Sequence, residues 1–142
     1  MKIDNTYSII SKIYGSMNDL LISELRENNI DNIVPSHGSI IMVLLKHKEL
    51  SMNEIANKIG KTPQTVTTLV KKLISLGYVE KKKSESDQRA SIVKLTEKGL
   101  AFESILILIS EKIFEKQYLG MNEEEIKILR KLLMKMESNF LD

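Results

Sequence analysis

Gln64, Thr65, Thr67, Thr68, Lys71 and Lys72 lie within the run TPQTVTTLVKKL, and their types suit one kind of chemistry. If the run is a helix, Val66, Leu69, Val70 and Leu73 fall at helical spacing on one face and leave those six residues on the other. An outer face of short hydroxyls, one amide and two amines, with no acid among them, can enter a major groove. There it can hydrogen-bond base edges and phosphates. Thr62-Pro63 supplies the helix start, an N-cap followed by proline at the first helical position. Thr62, Pro63 and the free amides of that first turn would face phosphate oxygens.

A helix used this way must be held by a second one crossing it steeply. Immediately upstream, Ser51-Met52-Asn53-Glu54 has the form of a capping box, in which a serine hydroxyl and a glutamate carboxylate cap each other's backbone amides. Ala56 is small enough for the crossing, and Gly60 sits where the turn between the two helices needs a residue free to take positive φ. Ile55 and Ile59 add to the same core. Ordinary helical hairpins share such Ala/Gly/Val spacing by chance. The capping box, the Thr-Pro start and the acid-free face together favour a DNA-binding helix-turn-helix.

Downstream, Gly77 closes the second helix, and YVEKKK and ASIVKL read as two short strands around the polar tip SESDQR. A ribbon directly after a groove-reading helix is a wing, and Lys81, Lys82 and Lys83 would lie beside the bound backbone. Asp87 and Arg89 stand two apart at the tip. An acid there opposes DNA, so Asp87 is expected to orient the wing and Arg89 to make the contact, in the minor groove or on a phosphate. The alternative is an exposed hairpin with an idle ion pair.

The rest of the chain sets limits. With 142 residues, 42% hydrophobic and 28% charged, one domain with a real core is expected. Two prolines and six glycines amid many Leu, Ile, Lys and Glu favour helix. The absence of cysteine excludes disulfides and thiolate metal sites. No basic-then-apolar leader and no apolar run near ~20 residues is visible, so a soluble cytoplasmic protein without membrane partners is expected. Net charge is +2, but residues 58–98 hold ten Lys or Arg against four acids, whereas the remainder holds eleven against fifteen. A basic centre between acidic flanks is the footprint of a nucleic-acid face.

Both ends read as helices with too much apolar surface for one small domain. Ile3, Tyr7, Ile10, Tyr14, Met17 and Leu21 alternate spacings of four and three, with Ile9, Ile13 and Leu20 widening the stripe. Pro35-Ser36 opens a helix whose SIIMVLL run is apolar all round, as a central buried helix should be. A helix starting at Thr96-Glu97 runs to about Gln117 and carries ILILI at residues 105–109. The last helix, capped by Asn122 and three glutamates, has its own stripe from Leu119 to Phe140. A partner, most simply a second copy, is expected to cover these faces. His37 and His47 are the only histidines, too few for a metal site, and no metal or cofactor is expected. No nucleophile–base pair or phosphate loop is present, so no enzyme is expected.

Two motifs carry a resemblance. DQRA, a short strand and LTEKG resemble the D-x-R-[AG]…LT-x-x-G signature of the MarR family of winged-helix regulators. LVKKLISLGYVEK is similar to that family's L-V-x-x-L-x-x-x-G-[LYW]-[VI]-x-[RK]. The order of elements agrees over nearly the whole chain. The resemblance implies a mainly α fold with a small β-wing: a winged helix-turn-helix module at 35–95, flanked by dimerisation helices at 1–34 and 96–142 of a single domain. It also implies a homodimer reading a pseudo-palindromic operator in double-stranded DNA as a repressor. A small-molecule effector pocket between the dimer helices and the wing module would be lined by Tyr14, Met17 and His37. Lys81 stands where an arginine is frequent, which turns a bidentate phosphate contact into a point charge. The competing function is a winged-helix architectural or protein-interaction module that does not read sequence.

Overall fold

A computed structural model describes residues 3–86 and 91–141. The chain divides into two compact units, Met1–Ser110 and Glu111–Asp142.

In the first unit, α1 (Thr6–Glu27) leads through a turn to α2 (Pro35–His47), β1 (Glu49–Ser51), α3 (Met52–Ile59), α4 (Pro63–Ser75), β2 (Val79–Lys83), β3 (Ser91–Leu95), α5 (Glu97–Ala101) and most of α6 (Glu103–Gln117). The core is a single cluster of aliphatic side chains. Ile40, Ile41 and Leu44 of α2, Ile55 of α3, Val66, Val70 and Leu73 of α4 and Val93 of β3 are fully buried. The steep α3–α4 turn works as its sequence demands: Gly60 adopts φ +67 in the left-handed region, where a side chain would be strained. The capping box forms, with Ser51 Oγ accepting the Glu54 amide at 3.2 Å and the glutamate accepting the Ser51 amide.

The sheet has three antiparallel strands in the order β1-β3-β2. Sequence reading found the two strands of the ribbon and missed β1, because three residues between two helices leave no period-two pattern. Leu50 of β1 pairs with Val93, so the ribbon is tied through β3 to the start of α3. Two further expectations need correction. The helix expected from Thr96 to about Gln117 is interrupted at Phe102, whose ring turns into the core and packs edge-on against Tyr78 at 5.2 Å. The run SIIMVLL is not buried all round, since Met42 of α2 is 44% exposed. The ILILI run is, as expected, not covered by this chain alone: Leu106 and Ile109 are buried, whereas Ile107 and Leu108 are exposed.

The second unit holds the end of α6 and α7 (Glu123–Ser138). Asn122 and Glu125 form a capping box there, and Phe114 stacks edge-on against Tyr118. None of the described residues of α7 is buried: Ile126, Leu129 and Met136 of the expected stripe are half-buried, and Leu132 and Leu133 are exposed.

Candidate nucleic-acid interface

The helix α4 is presented outward by its own stripe. Val66, Val70 and Leu73 are wholly buried and Leu69 is half-buried, which turns Gln64, Thr65, Thr68, Lys71 and Lys72 to solvent. Thr67 sits at the flank of this face, partly covered. Ser75 shares the exposed face and was not singled out from the sequence; its position seven residues after Thr68 was the available signal. The start is capped as expected: Thr62 Oγ1 accepts the Thr65 amide at 3.2 Å and lies 2.9 Å from the Thr65 hydroxyl.

The other end of α4 is clamped by residues that the sequence offered as a helix stop, a helix start and a signature motif. Gly77 takes φ +82 and turns the chain into Tyr78. The Thr96 hydroxyl donates to the Gly77 carbonyl, and the Thr96 amide donates to that of Tyr78 at 3.1 Å. Lys98 donates its ammonium to the Leu76 carbonyl at 2.7 Å and lies 4.6 Å over the Tyr78 ring. Gly99 abuts the same strand start, where a Cβ would fall 2.1 Å from the Tyr78 carbonyl oxygen. The LTEKG run is thus the clasp that holds the C-terminus of α4.

The three wing lysines cannot share one face, because side chains alternate along a strand. Lys81 and Lys83 project on the Val79 side, beyond the end of the core, and are exposed. Lys82 projects on the other side, 2.6 Å from Glu49 of β1, and next to it Glu80 pairs with Lys94 at 3.1 Å. Glu49 holds the Lys82 ammonium above the usual lysine value, and Lys82 holds the Glu49 carboxyl below its own. This pair is solvent-exposed and worth little to stability. Asp87 and Arg89 lie outside the described residues.

His37 is buried and caps α2: its Nδ1 accepts the Val34 amide at 3.0 Å, as a glutamate would in a capping box. The ring must be neutral at that nitrogen. Burial pushes its pKa below the usual histidine value, and the Lys72 ammonium adds to the effect. A cleft of about 520 Å³ opens beside it, floored by Ile22, Ile33 and Leu69 and flanked by Thr68 and Lys72 of α4. Of the three pocket residues expected, only His37 lines this cleft. Tyr14 is exposed on α1 and Met17 is half-buried, and neither borders it. A second, apolar cleft of about 440 Å³ lies between α1, α2, α3 and α6, lined in part by Leu25, Met42 and Leu106. Among the described residues no cluster of three or more His, Asp or Glu is placed to hold a metal, and no helix is long and apolar enough to cross a membrane.

Comparison with known proteins agrees with this geometry. Residues 32–90, from the end of the α1–α2 turn to the residue before β3, match the sequence model of the MarR family. The transcriptional regulator SarZ of Staphylococcus haemolyticus is 26% identical over 101 residues, covering 71% of this chain and 68% of that protein. The fold superposes on a MarR protein from Peptoclostridium difficile with a TM-score of 0.87 at 22% identity, over 98% of this chain and 92% of that one. It superposes on a mutant MarR from E. coli complexed with operator DNA with a TM-score of 0.84 at 20% identity, over 96% and 99%. Residues 32–90 thus match the MarR family's sequence model across the winged helix-turn-helix, and the fold along nearly the whole chain is that of solved MarR proteins.

Proposed function

We propose that this protein is a sequence-specific regulator that binds double-stranded DNA in the cytoplasm as a homodimer and represses transcription until a small molecule releases it. The observation that carries the reading is the exposed, acid-free face of α4. It is held rigid by a capped start, the fully buried Val66, Val70 and Leu73, and the Thr96–Lys98 clasp. A groove-reading element needs that rigidity, because a misplaced helix loses base contacts before it loses phosphate contacts. Thr62, Pro63, Gln64, Thr65, Thr67, Thr68, Lys71 and Lys72 form the groove surface, with Lys81, Lys83 and Arg89 on the adjoining backbone and Asp87 orienting the wing. Lys82 contributes only when it leaves Glu49.

Residues 35–95 serve as the DNA-reading module, and the segments 1–34 and 96–142 as dimerisation helices. Support for the dimer comes from the apolar residues of α1 left in solvent, Tyr7, Ile10, Ile13 and Tyr14 among them, and from Leu132 and Leu133 of α7. Effector control is supported by the cleft beside His37, since Thr68 and Lys72 belong both to its wall and to the DNA-facing helix. A ligand seated there competes for Lys72 and shifts the helix, which couples its binding to that of DNA.

The test is a selection of duplexes from a random pool with the purified protein. Enrichment of an inverted repeat with half-site centres about one helical turn apart is the expected result. Retention without a consensus, lost steeply with salt, would replace this reading with an architectural module.

A further inference from the structure

The hydroxyls on α4 are not equally able to read every base. Thr68 donates its proton to the Gln64 carbonyl at 3.2 Å, Thr67 to that of Pro63 at 2.9 Å, and Ser75 to that of Lys72 at 2.7 Å. With its proton turned into the helix, exposed Thr68 offers the groove a methyl group and an oxygen that can only accept. A G·C pair offers a donor there only at cytosine N4, and it carries no methyl group. A T·A pair presents the thymine C5-methyl and the adenine N6 amino donor, which match the methyl and the acceptor.

Gln64 stands one turn before Thr68 on the same exposed face, and its amide is the side-chain group that pairs bidentately with adenine N6 and N7. The helix contains no arginine. Lys71 and Lys72 lie nearly a full turn beyond Thr68. Residues at the helix N-terminus reach deepest into the groove, so these two ammonium groups meet phosphates.

We propose that α4 selects A·T-rich half-sites, with Gln64 bonded to an adenine and Thr68 seated on a neighbouring T·A pair through its methyl and acceptor oxygen. The inference rests on the DNA-reading function argued above and adds which bases are read and why.

The experiment takes the duplex enriched by the selection and replaces one thymine at a time with uracil, which removes only the methyl. Binding is measured for wild type, Thr68→Ser and Thr68→Val. The expected result is an A·T-rich half-site in which one uracil weakens the wild type about fourfold, the worth of one buried methyl. Thr68→Ser binds the thymine duplex correspondingly less well and loses nothing more with uracil. Thr68→Val, which keeps a methyl, stays sensitive to it. Half-sites centred on G·C pairs, or a wild type indifferent to uracil at every position, would overturn the base assignment and leave DNA recognition standing. An inverted repeat failing to emerge at all would overturn both.

Discussion

Replacing Gly99 by alanine tests whether the clasp behind α4 is as tight as its geometry indicates. The added Cβ would lie 2.1 Å from the Tyr78 carbonyl oxygen and 2.9 Å from Leu95 Cδ2, where ordinary contact begins near 3.4 Å. The carbonyl cannot simply retreat, because it accepts the Thr96 amide at 3.1 Å and lies beside the Gly77 carbonyl that accepts the Thr96 hydroxyl. Overpacking of this kind costs roughly 1–3 kcal/mol, and loss of one backbone hydrogen bond about 1 kcal/mol more. Against this, alanine in place of glycine in a helix gains up to ~1 kcal/mol. The net loss is about 1–3 kcal/mol, and at about 3 °C per kcal/mol for a chain of this size the melting temperature falls by roughly 3–9 °C. Thermal unfolding followed by circular dichroism measures it. A melting temperature unchanged or raised would show that α5 slides away freely, and the clasp would then have no bearing on how α4 is held.

Four smaller perturbations address other parts of the argument. Ser51→Ala removes half of the capping box and should cost about 1 kcal/mol in urea unfolding; no change in midpoint would mean the box contributes nothing. The folded-state pKa of His37 is depressed, so its contribution to stability is complete above the unfolded value near 6.5 and is lost as pH falls below it. The wild type should therefore lose stability as pH falls below about 6.5 more steeply than His37→Gln, in which the amide oxygen can still accept from Val34; parallel pH profiles would remove that role. Lys71→Ala should weaken binding to all duplexes alike and lower the slope of log affinity against log salt by about one, whereas a change of consensus would mean it reads bases. Arg89→Ala should abolish operator binding while leaving a folded dimer by sedimentation, and unchanged affinity would take the wing contact away from it.

The local signals in this sequence decided a great deal. Capping boxes at Ser51 and Asn122, the Thr62-Pro63 start and positive φ at Gly60 and Gly77 all formed where their residue types required, because each involves atoms within four residues of one another. The outward face of α4 was legible too, since Val66, Val70 and Leu73 leave the helix only one way to turn. Pairings across long stretches of chain were not legible. The strand β1, the Lys82–Glu49 contact that divides the wing lysines, and the Lys98–Leu76 bond span 22 residues or more. His37 is the most instructive case. The resemblance suggested a pocket residue, and the capping bond to Val34 is local, but its place beside Lys72 of α4 depends on how two helices cross. Sequence determines which elements form and which faces they must bury, because those follow from period and caps. The side chains that meet at the edges of those faces are decided only when the helices and the sheet pack.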